Sequence, residues 1–305
     1  MLQGTLHVKP TGAHPTSRLL AAGGRSGPAQ LDAPKCELCI VYDNLADTFG
    51  KGGLSLPSVT DISSKFDIQE GLATPLRYSE LRLAPSAVRL VVAPLTAAPS
   101  MVEQAVEVSD SIRRIIPTGY VVLENDPSLF HVTLFHTSQA FDPRPDPFDP
   151  SPDLSTDPQS RPVITPQLLD HELQTVHGLA ASVGPINLEV YRVVFADSGT
   201  LLLCSIDRSG QLTRLRQQLR ASFPGASTKQ TSTMHVSLLR VLTPQQLSPD
   251  VIRDIQEACD TWTERLRGRT FTLDRLWHIR EHIFAAVTGK RVEIRLAEPQ
   301  VATFR

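Results

Sequence analysis

The chain has 305 residues, of which 41% are hydrophobic and 20% charged, and its 30 basic and 32 acidic side chains give a formal net charge of −2. No apolar run approaches the 18 or so residues of a membrane helix, so the sequence excludes a membrane-spanning protein and is typical of a globular one. The charge is uneven, because residues 201–305 contain 16 basic and 10 acidic side chains. This surplus predicts a C-terminal third that can face an anion.

The N-terminal region lacks the periodicity of helices or strands. Residues 1–84 contain stretches rich in Gly, Pro and Ser, and we expect a poorly structured segment that precedes a domain over residues 85–305. The first 30 residues contain no Asp or Glu. This composition fits either an organellar transit peptide or a disordered leader without an address.

Four cysteines, Cys36, Cys39, Cys204 and Cys259, are too few and too scattered for a disulfide framework. They favour a reducing, intracellular compartment, either the cytoplasm or an organelle. Cys36 and Cys39 have the spacing of zinc ligands, but no second pair of Cys or His lies nearby in the sequence. We therefore interpret the two as incidental thiols and predict no metal site.

From residue 86 onward the pattern becomes regular. A β-branched run bounded by prolines predicts a strand over Ser86–Leu95, and apolar spacing predicts a helix over Val102–Ile116. Residues 139–164 contain seven of the chain's 24 prolines, which predicts an extended surface loop inserted into the domain. A short linker is expected to replace this insertion without loss of the fold.

The most informative pattern in the sequence is an internal repetition. Phe130–Ser138 and Met234–Leu242 share the order His, Val, hydroxyl residue, Leu, and Thr-Pro-Gln follows each of them, at Thr165 and at Thr243. A Thr before Pro predicts the N-cap of a helix, and apolar residues at helical spacing follow both sites.

Each of these predicted helices leads to a predicted hairpin, over Ile186–Ile206 and over Phe271–Gly289. Leucines at helical spacing predict one more helix, over residues 212–219, between the two copies. The order strand, helix, hairpin therefore occurs twice. This duplication predicts an α+β fold of two similar lobes about a pseudo-twofold axis, in which mostly antiparallel sheets form a central cleft and helices lie outside.

Alternation along a strand places His131 with Thr133 on one face, and His235 with Ser237 on the equivalent face of the second copy. The two pairs converge on the cleft if the Val and Leu residues between them are buried. Two histidines with pKa values near 6.5 can act as base and acid at a phosphodiester, while the hydroxyls donate hydrogen bonds to its non-bridging oxygens. A lone histidine on a strand is more often structural, but the repeated pattern favours a site.

Two His-x-Thr/Ser motifs about a hundred residues apart, in similar lobes, resemble the 2H phosphoesterase superfamily over residues 86–305. The resemblance implies catalytic roles for His131, Thr133, His235 and Ser237. It also implies attack at a 2′,3′-cyclic phosphate, or at an RNA-end or nucleotide phosphodiester, without a metal ion or other cofactor. The pseudo-symmetry leaves open which histidine is the acid and which the base. The alternative function is a non-catalytic nucleotide- or RNA-binding module that uses the same cleft.

Other side chains are weaker candidates. His136 lies five residues after His131, so strict alternation places it on the opposite face of the strand. His171 and His177 lie six residues apart on a predicted helix and are expected to face solvent. Four aromatic residues could stack on a base and three arginines could bind phosphate, although core packing and solvated surface are their usual roles: Tyr120, Phe135, Tyr191, Trp277, Arg192, Arg240 and Arg280. No pattern indicates a protein partner, so we interpret the chain as a monomer with a nucleotide or RNA-end substrate.

Overall fold

The computed structural model describes residues 36–298, and within that range the chain forms six α-helices and eleven β-strands. The helices are α1 Glu37–Gly52, α2 Leu56–Ser63, α3 Pro99–Arg113, α4 Pro166–Ala180, α5 Gln211–Ser222 and α6 Pro249–Leu266. The strands are β1 Phe66–Gln69, β2 Leu72–Pro75, β3 Val88–Pro94, β4 Val122–Glu124, β5 His131–Ser138, β6 Ile186–Phe195, β7 Thr200–Ile206, β8 His235–Val241, β9 Thr270–Leu273, β10 Arg275–Glu281 and β11 Gly289–Arg295. None of these helices is long and apolar enough to cross a membrane.

Two antiparallel sheets form the two lobes. One sheet has the strand order β11-β10-β3-β5 and the other the order β4-β8-β7-β6-β9, while β1 and β2 form a separate hairpin. Each copy of the repeat is a strand, helix, strand, helix, strand unit, first β3-α3-β5-α4-β6 and then β7-α5-β8-α6-β10. The last strand of each unit pairs with the first strand of the other, since β6 pairs with β7 and β10 with β3. The predicted α+β class with duplicated lobes is confirmed.

Most predicted elements form near their predicted positions. β3 occupies the predicted strand, α3 the predicted helix after it, and β6 and β7 form the first predicted hairpin. The side chain of Thr165 accepts a hydrogen bond from the Leu168 N–H at 3.3 Å, so Thr165 is the N-cap of α4 as predicted.

The second predicted N-cap, Thr243, is wrong. α6 begins at Pro249, and Ser248 is its N-cap. The Thr243 hydroxyl instead accepts a hydrogen bond from the Val121 N–H at 2.7 Å, directly before β4. The Thr243 side chain, which the local sequence predicts as a helix N-cap, therefore forms a hydrogen bond to a distant part of the chain instead.

The second predicted hairpin, over Phe271–Gly289, is wrong in its pairing. β9 pairs with β6 in one sheet, whereas β10 pairs with β3 and with β11 in the other. The chain therefore passes from one lobe to the other at Asp274, and this exchange of strands joins the lobes by backbone hydrogen bonds.

The prediction of a poorly structured N-terminal segment is wrong for residues 36–84, which form α1, α2 and the β1–β2 hairpin. Residues 1–35 lie outside the described range. α1 buries a stripe at helical spacing, and Tyr42 within it is fully buried. The Tyr42 hydroxyl accepts a hydrogen bond from the Met234 N–H at 2.7 Å, directly before β8. The segment is therefore part of the domain and supports a motif strand.

The two cysteines at the start of α1 also differ from the prediction. Cys36 and Cys39 form a disulfide across the first turn of the helix, so their interpretation as incidental thiols is wrong. Cys204 and Cys259 are free and buried.

The proline-rich insertion, residues 139–164, has only a short 3-10 turn, over Pro158–Ser160, but it is packed onto the domain. The Arg144 side chain is buried and its carbonyl accepts a hydrogen bond from Nη2 of Arg89 at 2.6 Å. The carbonyl of Pro147 accepts one from the Gly225 N–H at 2.9 Å. A Cβ atom at Gly225 would lie about 2.1 Å from the Asp149 carbonyl oxygen, so only glycine permits this approach. The insertion is more than the free surface loop that its composition predicts.

Candidate active site

The two His-x-Thr/Ser motifs lie on β5 and β8, where the two sheets contact each other. His131, Thr133, His235 and Ser237 are partly exposed on the same face of their strands. The apolar residues between and after them are at most 1% exposed: Val132, Leu134, Val236 and Leu238. Burial of these Val and Leu side chains turns the polar pairs away from the core, as alternation predicts.

β5 contains a bulge directly after its motif. Thr133 pairs with Val92 and Phe135 pairs with Val91, which leaves Leu134 without a partner in β3. Leu134 and Phe135 are both buried although they are adjacent in sequence. The alternation of buried and cleft-facing side chains is therefore shifted by one residue after Leu134.

β8 contains the same bulge, because Leu238 is left unpaired between Ser237 and Leu239. The residue that follows each bulge returns to the motif face, and this residue is His136 in β5 and Arg240 in β8. The prediction that His136 points to the opposite face is wrong, since strict alternation takes no account of a bulge.

A cleft of about 560 Å³ runs over the two motifs. Its polar lining along β5 and β8 consists of His131, Thr133, His136, Ser237 and Arg240. His235 lies beside them, near enough for a charged His131 to lower its pKa. The structure thus brings the four predicted site residues together and adds His136 and Arg240.

The two motif histidines have different hydrogen-bond partners. Nδ1 of His131 lies 2.8 Å from the Leu129 carbonyl oxygen. A carbonyl oxygen only accepts, so Nδ1 carries the hydrogen and Nε2 is left for the cleft. Nδ1 of His235 lies 2.8 Å from the hydroxyl of Thr233, which lies 3.1 Å from the Thr231 hydroxyl and can either donate or accept.

Arg216 of α5 joins the two motif strands. Its guanidinium donates to the carbonyl oxygens of Thr133 at 2.7 Å and Leu134 at 3.1 Å in β5. It also donates to those of Ser232 at 3.1 Å and Thr233 at 2.7 Å, directly before β8. The guanidinium group is suited to joining the strands, because its five N–H donors lie in one plane and hold several carbonyl oxygens in a fixed arrangement.

The electrostatic environment favours neutral histidines in the ligand-free cleft. Burial lowers the pKa of His131. The hydrogen bond to Leu129 acts in the opposite direction, but burial has the larger effect. The pKa of His235 falls to about 4, first because of burial and then because His131, Arg216 and Arg240 are nearby cations. The Leu129 hydrogen bond thus favours the charged form of His131, whereas the cations beside His235 favour its neutral form.

Arg240 is a cation that faces the cleft without compensation. Within residues 36–298, no carboxylate or carbonyl oxygen pairs with its guanidinium. Burial lowers its pKa, but an arginine remains charged at neutral pH. An unpaired, desolvated guanidinium beside two histidines and two hydroxyls forms a site for an anion.

The other arginine and aromatic candidates lie elsewhere or have other partners. Arg192 is paired with Asp43 at 3.0 Å and Asp260 at 2.9 Å, and Arg280 lies beside α4 in a separate groove. Phe135 and Trp277 are buried in the core. Tyr191 is paired with Asp43, and the Tyr120 hydroxyl donates to the Gln246 carbonyl. His171 and His177 are exposed, as predicted.

Several residues of the site escaped sequence analysis. Asn125 donates from Nδ2 to the Ser237 carbonyl at 2.8 Å, and Phe141 and Phe284 add aromatic rings to the cleft lining. Arg216 carried no signal beyond its place on an amphipathic helix. Arg240 is different, because it was already a candidate for binding phosphate and follows its motif in the same position as His136. No group of three or more Cys, His, Asp or Glu side chains that could hold a metal ion occurs in the described part of the chain.

The model of the 2′-5′ RNA ligase superfamily matches residues 130–282, a range that contains both motifs. No curated protein sequence matches the chain.

Solved structures resemble the chain at low identity. TT0787 of Thermus thermophilus is 14% identical, with 68% of this chain and 94% of that chain covered and a TM-score of 0.42. ATU0111 of Agrobacterium tumefaciens is 13% identical, with 70% and 90% covered and a TM-score of 0.46. E. coli LigT complexed with phosphate is 11% identical, with 69% and 97% covered and a TM-score of 0.37.

Proposed function

This chain belongs to the 2′-5′ RNA ligase superfamily, and from that premise we propose that it is a phosphoesterase that acts on 2′,3′-cyclic phosphates or on phosphodiesters at RNA or nucleotide ends. The observation that carries the proposal is that His131, Thr133 and Ser237 line one cleft together with the unpaired Arg240, with His235 beside them. This set of groups matches the needs of a phosphodiester, which is an anion with one attacking and one leaving oxygen.

The hydroxyls and the guanidinium hold the phosphate. Thr133 and Ser237 lie two residues after the histidines on the same faces, so their hydroxyls can donate to non-bridging oxygens between the rings. Arg240 adds a charge that water does not screen fully in a buried cleft. Together they orient the phosphorus and stabilise the charge that develops during attack.

The difference between the histidines assigns their roles. His131 donates from Nδ1 to the Leu129 carbonyl, and this hydrogen bond favours the imidazolium. Burial, and then the nearby Arg216 and Arg240 guanidinium groups, favour the neutral form of His235. We therefore assign His131 as the general acid and His235 as the general base in hydrolysis.

The reaction balances with these two groups. Nε2 of His235 accepts a proton from water as the water oxygen bonds to phosphorus, and Nδ1–H donates to the Thr233 hydroxyl. The bond from phosphorus to the ribose leaving oxygen breaks, and His131 protonates that oxygen from Nε2. One P–O bond forms and one breaks, and the histidines recover their starting protonation by exchange with solvent. The two-histidine route requires no metal ion.

The test is turnover of a 2′,3′-cyclic nucleotide by the purified chain, measured by the appearance of phosphomonoester with and without a chelator. We expect turnover that the chelator leaves unchanged and that His131→Ala lowers by roughly 10²–10⁴-fold. The matched control is His171→Ala, an exposed histidine on α4 outside the cleft. Binding of the cyclic nucleotide without turnover would contradict the proposal and favour the non-catalytic binding module.

A further inference from the structure

The disulfide between Cys36 and Cys39 links two residues of one helical turn. The cysteines are three residues apart in the sequence, and their Cα atoms are separated by 5.3 Å. Cys36 is the N-cap of α1, and Cys39 lies in the first turn of the same helix. The bond therefore does not connect separate elements of the fold.

The first turn of α1 does not depend on this bond. The Cys36 carbonyl accepts hydrogen bonds from the N–H groups of Cys39 at 2.9 Å and Ile40 at 3.2 Å. A disulfide stabilises mainly by restricting the unfolded chain, and this effect decreases as the loop that it closes becomes shorter. The loop from Cys36 to Cys39 is very short, so stability gives only a weak reason for the bond. Its chemistry gives a stronger one.

The two cysteines differ in their access to solvent. Cys36 is exposed at the start of the helix, whereas Cys39 is only 6% exposed. Cys39 packs in a small apolar cluster that includes Tyr42 of α1 and Leu202 and Cys204 of β7. A thiolate from solvent can therefore reach Sγ of Cys36, and Cys39 is then the sulfur that leaves.

The N-terminus of α1 favours negative charge on the Cys36 sulfur. Sγ of Cys36 accepts a hydrogen bond from the Cys39 N–H at 3.3 Å. The free N–H groups and the positive end of the helix dipole favour an anion at this position. Reactive thiols are typically found in this arrangement, a Cys-x-x-Cys pair at a helix N-terminus.

We propose that Cys36 and Cys39 form a redox site that exchanges its disulfide with a dithiol, with Cys36 as the reacting sulfur. Neither cysteine lines the cleft between the motif strands. The inference therefore goes beyond the proposed phosphoesterase function and does not depend on it.

The exchange balances in two steps. A thiolate of the dithiol bonds to Sγ of Cys36, and the bond to Cys39 breaks, so that Cys39 leaves with the electron pair and takes a proton from solvent. The second thiolate of the dithiol then bonds to the first sulfur of the dithiol, and Cys36 leaves and is protonated in the same way. The dithiol is oxidised to a disulfide by two electrons, and the cysteine pair is reduced by the same two.

The first experiment asks whether the folded full-length chain exchanges this bond. The chain is oxidised with oxidised glutathione, incubated with dithiothreitol and alkylated, and the labelled cysteines are located by mass spectrometry. We expect Cys36 and Cys39 to be labelled together only after dithiothreitol, with no change in the circular dichroism of the helices. Cys204 and Cys259 are free and buried, so they serve as the internal control and are expected to remain unlabelled.

Two variants identify the reacting sulfur. The reduced chain, freed of dithiothreitol, is treated with dithionitrobenzoate, which leaves one thionitrobenzoate on a thiol and releases the other. Wild type is expected to release about two equivalents and retain none, because Cys39 displaces the group bound to Cys36. Cys39→Ser is expected to retain the group on Cys36. Cys36→Ser is expected to react roughly tenfold more slowly or less, because only the buried thiol remains. Serine is itself a good N-cap, so this variant keeps the start of the helix.

Several results would overturn the redox site. One is labelling of Cys36 and Cys39 before dithiothreitol is added, and another is no labelling after it. Labelling only together with Cys204 and Cys259 would show that the bond opens on unfolding alone. Equal reaction rates of Cys36→Ser and Cys39→Ser would contradict the role of Cys36. These readouts report thiol chemistry, so they hold whether or not the chain turns over a cyclic nucleotide.

Discussion

His131 and His235 occupy equivalent positions in the two repeats but have different partners. A carbonyl oxygen fixes the hydrogen on Nδ1 of His131, whereas a hydroxyl that can reverse its direction bonds Nδ1 of His235. Burial first, and then the positive charge of nearby side chains such as Arg216 and Arg240, lower the pKa of His235. The two motifs are equivalent, but the surroundings of their histidines differ. These different surroundings are the basis on which we assign the acid role to His131 and the base role to His235.

The assignment of His131 as the acid predicts a dependence on the leaving group. A phosphodiester that releases 4-nitrophenolate needs no proton at its leaving oxygen. We expect His131→Ala to lose far less activity on this substrate than on a 2′,3′-cyclic nucleotide, and His235→Ala to lose roughly 10²–10⁴-fold on both. Rate measurements on the two substrates check this. The reverse pattern would exchange the roles of the two histidines.

The lowered pKa values predict an acidic optimum for kcat/KM. The base His235 must be neutral, so the rate rises as pH increases through its pKa of about 4. The acid His131 must be protonated, so the rate falls as pH passes its pKa, which burial lowers from 6.5. The maximum is expected below about pH 6.5, more acidic than the near-neutral optimum of unperturbed histidines. A profile that is flat from about pH 5 to 9, or that peaks above 7, would contradict this account.

At the scale of elements, Arg216 of α5 sets the distance between the motif strands through four carbonyl oxygens. Lysine keeps the charge but lacks the planar fork, so Arg216→Lys is expected to lower kcat roughly 10- to 100-fold with little change in KM. The control is Arg214→Lys, an exposed arginine of the same helix. Steady-state kinetics of both variants check the prediction. A change in KM alone would show that Arg216 acts on substrate binding instead.

The insertion is expected to contribute to stability. Its Arg144 carbonyl accepts a hydrogen bond from Arg89, and Arg89 forms a buried ion pair with Glu172 at 2.9 Å. Replacement of residues 139–164 by a Gly/Ser linker leaves a buried guanidinium N–H without an acceptor. We expect a cost of about 1–3 kcal/mol, or roughly 3–10 °C in Tm.

The control for this prediction replaces only residues 151–157, which are nearly all exposed. That variant is expected to melt with the wild type in a thermal unfolding measurement. If the full replacement also melts with the wild type, the insertion is the dispensable surface loop that its proline content predicted.

The sequence predicts an element correctly where a strong local pattern, such as a helix cap, determines it. It does not predict features that depend on contacts with distant parts of the chain. Thr165 acts as the predicted cap, whereas Thr243 bonds to Val121 across the sheet. His136 was misplaced because a bulge is set by the pairing of β5 with β3 and leaves no mark on the pattern of apolar residues. Residues 36–84 were missed although α1 buries a stripe at helical spacing, because neighbouring stretches rich in Gly, Pro and Ser favoured a disordered segment.

At the scale of the whole molecule, the duplication could be predicted from two short motifs, and the exchange of β6 and β10 between lobes could not. Local patterns describe strands but not their partners, and β9 and β10 are separated by one residue although they lie in different sheets. This exchange places both motif strands against each other. The candidate site followed from the motifs, while Arg216 and Phe141 required the tertiary structure.

The central claim is that His131 and His235 act as one catalytic unit in the cleft between the lobes. The most direct test is kcat on a 2′,3′-cyclic nucleotide for His131→Ala, His235→Ala and the double variant. Each single variant is expected to lose roughly 10²–10⁴-fold, and the double variant little more than the worse single one, because groups that act as a unit are not additive. Wild-type turnover in either single variant would contradict the claim, as would losses in the double variant that multiply.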